Sequence, residues 1–227
     1  MERKADRVAK ELLERIVAGD IAVGELLPRE SALAEDYGVN RSVIREAIKQ
    51  LEVHRLVRPK RRRGTEVLDP LTSISPEVLR ALIAPRDGEI DLELFADLLE
   101  LRAALDAQMV SLAAERRSEE DIADLQGCVV ELRELLGQPQ AYSQKMDELA
   151  LLMARASHNR LFEILVHWHA RVQSDLGDLL LVVRQANALH LQGVESTIAL
   201  ICDKDVEGVR SFMQTFHAWS TPRLLAA

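Results

Sequence analysis

The 227 residues are 48% hydrophobic but only 4% aromatic, with 10 Gly and 7 Pro, a balance that favours a mostly helical globular fold with room for two separate cores. No run of about eighteen apolar residues is present, which excludes a membrane-spanning helix; Cys128 and Cys202 lie far apart without a CxxC, which excludes a zinc ribbon or disulfide framework and suits buried small apolar side chains. The net charge of −8 is uneven: residues 1–68 carry 15 Lys+Arg against 12 Asp+Glu, net +3, and residues 69–227 carry 14 against 25, net −11, so a polyanion would be repelled by the second part and could meet only the first.

In chain order, Arg3 to Ala18 places Val8, Leu12, Leu13, Ile16 and Val17 at helical spacing and stops at Gly19. Met1-Glu2-Arg3-Lys4 leads into this amphipathic helix rather than a signal-peptide core, and a cytoplasmic protein is expected. Gly24 and Pro28 bracket the entry to the stretch Leu27 to Val67. There, Ser31 to Tyr37 forms one short helix, Gly38-Val39-Asn40 breaks it, and Arg41 to Leu51 starts the next, a helix-turn-helix. The second helix has one apolar stripe, Val43, Ile44, Ala47, Ile48 and Leu51. Its opposite face holds Arg41, Ser42, Arg45 and Lys49, the residue types that reach base edges and phosphates in a major groove. Leu56-Val57 and Glu66-Val67 flank a basic tip containing Arg61, Arg62, Arg63 and Gly64, which reads as a two-stranded wing. Between residues 41 and 63 there are 9 Lys or Arg against 2 acids. A basic run alone is more often a solvated loop, but on this scaffold it marks double-stranded DNA as partner.

At these residues the chain resembles the GntR family of bacterial transcription regulators, in L-P-R-E-S-A-L-A (27–34), G-V-N-R-S-V-I-R-E-A-I (38–48) and G-T-E-V (64–67). The resemblance covers roughly residues 8 to 67 and implies DNA contact at Asn40, Arg41, Ser42, Arg45 and Gly64. Three positions depart from the family pattern. Ser31 stands where a DNA-contacting Arg is usual, Arg29 stands where a small residue is usual and is the candidate substitute, and Arg62 replaces the first wing glycine.

Asp69-Pro70 marks the exit into a second unit, giving expected domains of 1–69 and 70–227. Ser75-Pro76 opens a helix to Ala84, with Ser75 as N-cap. Longer helices follow over Glu89 to Arg116, then from an N-cap at Ser118 to Leu136, then over Ala141 to Ala156. Asn159 caps a long one to about Arg184, and Asn187 to Cys202 and Val206 to Trp219 complete about seven. No strand alternation follows Val67, so the fold expected is mainly α: a winged helix-turn-helix, then an all-α bundle. Such a bundle serves as a folding unit, a dimerisation unit or a ligand cavity. Residues 100–117 and 156–162 resemble the effector-binding FCD domain of the FadR-like branch. The resemblance implies a homodimer on two-fold-related half-sites.

Many FCD domains hold a divalent metal with an Asp and three His. By the resemblance those slots fall on Met146, Ala150, Val194 and Phe216, all apolar, although Asp147 and His217 each lie one residue from a slot. No metal and no cofactor is therefore expected, and no His pair has the i, i+4 spacing of a helical chelate. The four slots instead suggest an apolar effector cavity, suited to an acyl-bearing ligand, with an acyl-CoA or another carboxylate-bearing metabolite as the candidates. Arg102 occupies a position at which the family directs an Arg into the effector pocket; the alternative is a salt bridge with Asp97, Glu100 or Asp106. No nucleophile motif, P-loop or Gly-rich fingerprint is present, so an enzyme is not expected. The function expected is an effector-controlled transcriptional repressor or regulator; the alternative is a constitutive DNA-binding dimer whose bundle is only a scaffold.

Overall fold

Apolar residues at every third or fourth position of the first segment fold it into α1 (Lys4–Val17), which buries Val8, Leu12, Leu13 and Ile16. The computed structural model describes residues 3–85, 90–173 and 180–226, and the chain divides into two compact units, 1–94 and 95–227.

In the first unit, α1 packs against α3 (Arg41–Val53), and α2 (Glu30–Asp36) adds the fully buried Leu33. Gly38 takes φ +60° and Val39 N–H returns to Ala34 O at 3.0 Å, a left-handed stop that turns the chain between the two helices. The stripe expected on α3 is buried at Ile44, Ala47, Ile48 and Leu51, with Val43 half-buried beside it. Strands β1 (Val57–Lys60) and β2 (Gly64–Val67) pair antiparallel, with Val57 opposite Val67 in the core and Lys60 opposite Gly64 at the tip. The wing is wider than the sequence suggests. Gly24 N–H donates to Val67 O, Val67 N–H to Glu25 O and Leu27 N–H to Thr65 O, laying the segment before α2 along the free edge of β2. No alternation marks that segment, because its contribution is backbone pairing rather than a buried face.

Helix α4 (Pro76–Ile83) also belongs to the first unit, so the compact units do not divide at the expected 69/70 boundary. The physical reason is burial: Val78 and Ala81 join the core formed by α1 and α3. Ser75 holds the N-cap position without capping the backbone; its hydroxyl donates to Glu77 Oε2 at 2.6 Å and lies 2.8 Å from His54 Nδ1. Ser73 Oγ donates to His54 O at 2.7 Å, so the end of α3 is tied to the approach to α4.

The second unit contains most of α5 (Leu92–Arg116) with α6 (Glu119–Glu134), α7 (Pro139–Ala156), α8 (Arg160–Val172), α9 (Ala188–Cys202) and α10 (Val206–Leu225). Its core gathers Val110, Leu125, Leu132, Tyr142, Leu149 and Ile201, among others, from successive helices. Ser118 caps α6 as expected, through a reciprocal capping box: Ser118 Oγ accepts from Asp121 N, and Asp121 Oδ2 accepts from Ser118 N. Cys128 is buried and its thiol is pushed up to about 11 by burial, in keeping with a packing role. The helix from Asn159 ends at Val172 rather than running to Arg184; residues 174–179 of that expectation lie outside the described residues. Helix α10 continues past Trp219 to Leu225 with Pro222 inside it, and Arg223 Nη1 donates to Trp219 O at 2.7 Å. No strand follows Val67 among the described residues.

Candidate nucleic-acid interface and helical-domain cavity

The helix-turn-helix and the wing both expose their polar residues. Arg29, Asn40, Arg41, Ser42, Arg45, Lys49, Arg61, Arg62, Arg63 and Gly64 are all solvent-exposed. Asn40 is the N-cap of α3: its Oδ1 accepts from Val43 N at 3.0 Å and from Ser42 Oγ at 2.8 Å, which fixes both side chains where the helix begins. That leaves the Asn40 amide N–H groups for an outside acceptor. Arg45, one helical turn on, donates through Nε to Glu30 Oε2 at 2.8 Å, with side-chain exposures of 62% and 39%. A single Nε contact aims the guanidinium and leaves its two terminal nitrogens available for a bidentate base contact. Arg29 occupies the N-cap position of α2 without a side-chain cap bond.

On the wing, Glu66 takes two of the cations: Arg58 Nη2 lies 2.9 Å from Oε2, and Lys60 Nζ pairs with Oε1. Hydrogen bonds from Lys60 and then Arg58 hold the Glu66 carboxyl below its ordinary value. Among the described residues Arg61, Arg62 and Arg63 form no ion pair, so the charge presented by the wing is concentrated at its tip. Arg62, in place of the usual glycine, adopts φ +62°, and Gly64 adopts φ +124°. The tip therefore keeps a left-handed turn without its first glycine, with a backbone cost of about 1 kcal/mol that the added cation offsets only when a polyanion is present.

The second unit holds a cavity of about 330 Å³, near the lower end of the roughly 300–1,000 Å³ range of small-molecule sites. Helix α7 contributes Met146, Leu149 and Met153; α9 contributes His190, Gly193, Val194, Thr197 and Ile198; α10 contributes Phe212, Met213, Phe216 and Trp219. Val183, Gln185 and Asn187 come from the segment before α9, and Leu189 from the first turn of α9. Three of the five expected effector residues, Met146, Val194 and Phe216, thus come together on one wall. The other two do not line the cavity. Ala150 is half-buried against the core of the bundle; it stands only about 40° around α7 from Met146, but its single methyl group is not part of the lining. Arg102 pairs with Asp106 Oδ2 at 3.2 Å, which is the salt-bridge alternative.

Asp106 also lies 3.2 Å from His217 Nε2, an ion-pair distance without the alignment of a hydrogen bond, since the His217 nitrogen is otherwise unpartnered. Burial opposes ionisation of Asp106, but His217 and Arg102 outweigh it and hold the carboxyl below its ordinary value. His169 is pushed down to about 3 by burial and then by the charge of Arg102. Arg184, nearly buried, donates to Ser143 O and Oγ and pairs with Asp147 Oδ1 at 2.7 Å. Met146, Ala150, Val194 and Phe216 offer no ligand for a hard or borderline cation, so the donor set does not fit the divalent metal of many FCD domains. Among the described residues no group of three or more His, Cys, Asp or Glu is placed to hold a metal ion.

Two features of the cavity escaped the sequence reading. Tyr142, fully buried, places its hydroxyl 2.8 Å from His190 Nδ1, and burial followed by the Arg184 charge pushes His190 down to about 4. Trp219 forms part of the lining while Arg223 lies over its ring at 4.5 Å. The 48-residue separation of Tyr142 from His190 left no local signal.

Comparison with known proteins follows this division. Residues 4–67 match the bacterial regulatory proteins of the gntR family, and residues 97–217 match the FCD domain. The HTH-type transcriptional regulator LutR of Bacillus subtilis is 31% identical over 150 residues, 66% of this chain and 66% of that protein. The galactonate operon transcriptional repressor of Escherichia coli is 29% identical over 131 residues, 57% of this chain and 56% of its own. The matched stretches thus span between about half and two thirds of these relatives' lengths. Among solved structures, Lar, described as controlling the expression of the Listeria monocytogenes agr system, superposes with a TM-score of 0.66 at 19% identity, over 99% of this chain and 97% of that one. A Streptococcus agalactiae GntR gives 0.51 at 24% identity, over 96% and 98%. These two likenesses bear on fold alone. No helix among the described residues is long and apolar enough to cross a membrane.

Proposed function

Given that the chain belongs to the gntR family of bacterial regulatory proteins and carries an FCD domain over more than half its length, we propose that it is a homodimeric repressor, acting in the cytoplasm, whose grip on a two-fold operator is released when a small molecule enters the cavity of the helical domain. The family makes it a transcriptional regulator with an effector-binding domain, and its relatives are named as regulators and repressors rather than enzymes. Residues 1–69 read the DNA and residues 70–227 bind the effector and dimerise, with α4 packed on α1 and α3 of the DNA-binding unit.

One observation carries the effector half of this reading: Met146, Val194 and Phe216 are among the residues that line a cavity of about 330 Å³. A bundle used only as a dimerisation scaffold gains nothing from such a recess, which leaves apolar side chains uncovered. The effector expected is an acyl-bearing or carboxylate-bearing metabolite whose apolar part fills that space. Ligand that favours one pose of the two winged helices lowers operator affinity by its differential binding to that pose.

The test uses the full chain and a duplex recovered by selection from a random pool. Melting temperature and then DNA affinity are followed with acyl-CoA esters, fatty acids, their neutral esters, sugar acids and divalent metals. A compound that raises the melting temperature and releases DNA supports the reading; compounds that raise the melting temperature without altering DNA affinity contradict effector control.

A further inference from the structure

We infer that the cavity of the helical domain takes an uncharged, largely apolar molecule carrying a single hydrogen-bonding group, and not a carboxylate or a phosphate. This rests on the effector reading above and narrows it to a ligand class.

The polar groups of the lining are few and mostly paired with one another or with the backbone. None of the described lining residues is charged. Asn187 is spent internally: its Oδ1 accepts from His190 N at 2.9 Å and its Nδ2 donates to Gln185 Oε1 at 2.9 Å. Gln185 Nε2 in turn donates to Val182 O, and Thr197 Oγ1 donates to Gly193 O. Two polar atoms, His190 Nε2 and the Trp219 indole nitrogen, make no hydrogen bond among the described residues. His190 is anchored from behind by Tyr142 and stands edge-on to Phe216, with ring centroids 6.5 Å apart.

The cations beside the wall are committed elsewhere. Arg184 is turned to Ser143 and Asp147, Arg223 lies over the ring of Trp219, and Arg102 is held by Asp106. An anionic ligand would have to leave water with no cation among the described lining residues, a penalty that a neutral ester, ketone or alcohol of the same length does not meet. Burial also keeps His190 neutral near pH 7, so the ring offers a hydrogen bond and no charge. The apolar slots that fail to fit a metal are, on this account, the slots that fit the ligand.

Methyl octanoate, 1-octanol and octanoate form a matched series for the test. Binding to the full chain is followed by melting temperature at pH 7.5 and by tryptophan emission, with Trp168→Phe measured alongside so that the change is read from Trp219. The expected result is that ester and alcohol bind at least about tenfold more tightly than octanoate, from the desolvation of the carboxylate. Gly193→Leu is expected to abolish binding of all three while remaining folded. A Cβ at Gly193 meets only Phe212 Cζ, at 3.8 Å, so the new side chain projects into the void, and replacing a helical glycine favours the helix. His190→Leu should weaken the alcohol by about fivefold, the size of one hydrogen bond.

Octanoate binding as tightly as the ester, with loss in Gly193→Leu, would overturn the ligand class and leave effector control standing. No binding by any of the three, or binding that survives Gly193→Leu, would overturn the cavity assignment itself. Neutral probes that bind and are lost in Gly193→Leu, yet leave DNA affinity unchanged, would uphold the ligand class while removing the effector reading beneath it.

Discussion

Replacing Arg45 by Ala separates the cost of folding from the cost of reading DNA. In the free protein this side chain makes one exposed ion pair, with Glu30 at 2.8 Å. Pairs of that exposure contribute about 0.2–1 kcal/mol, so Arg45→Ala should lower unfolding free energy by less than about 1 kcal/mol. On DNA the two terminal nitrogens are available for a bidentate base contact worth about 1–3 kcal/mol, or about 5- to 150-fold in affinity. Affinity for the selected duplex and for a scrambled duplex, measured by fluorescence anisotropy at one fixed salt concentration beside urea unfolding, gives the two quantities separately. Arg45→Lys keeps the charge but not the fork, and should restore binding to scrambled DNA while the selected site stays weakened. Unchanged affinity for the selected duplex in Arg45→Ala, or an equal loss on both duplexes, would refute the assignment of Arg45 as a base reader.

Asn40→Ala removes the cap of α3 and should cost about 1 kcal/mol of stability by chemical unfolding, with a further loss of DNA affinity because Ser42 loses its anchor. Arg62→Gly should act in opposite directions: relief of the left-handed backbone at φ +62° stabilises the fold by up to about 1 kcal/mol, while affinity for every duplex falls and the salt slope flattens by about one unit. Acid should destabilise the helical domain before its carboxylates titrate. His169 at about 3 and His190 at about 4 stay neutral in the folded chain and bind protons near 6.5 once unfolded. The unfolded state then holds more protons, and stability falls as pH drops from about 6.5 towards 4. Urea unfolding across that window checks the sign, and His169→Gln with His190→Gln should flatten the slope.

The DNA-reading half of the fold was legible because its signals are local. Gly38, the cap at Asn40 and the stripe from Ile44 to Leu51 are each specified within a few residues. The pairing of Gly24 to Leu27 with β2 was not, since backbone hydrogen bonds leave no side-chain pattern. Helix α4 reads identically whichever unit it packs on, and only the burial of Val78 and Ala81 decides the matter. Counting slots along α7, α9 and α10 brought Met146, Val194 and Phe216 to one cavity, and i, i+4 spacing offered Asp106 as the partner that holds Arg102, but helical counting could not reveal that Tyr142 and Arg184 anchor groups from other helices. The last two contacts join residues 37 and 48 positions apart, where periodicity carries no information.

The most direct test of effector-controlled DNA binding is the affinity of the full chain for its selected duplex as methyl octanoate is titrated in, with Gly193→Leu measured alongside. A saturable loss of at least about tenfold is predicted in the wild type, of the size of ordinary allosteric coupling, and none in Gly193→Leu, each taken against its own ligand-free affinity. Wild-type affinity that stays constant while the ester raises the melting temperature would contradict it, leaving a constitutive DNA-binding protein with an occupied but unconnected cavity.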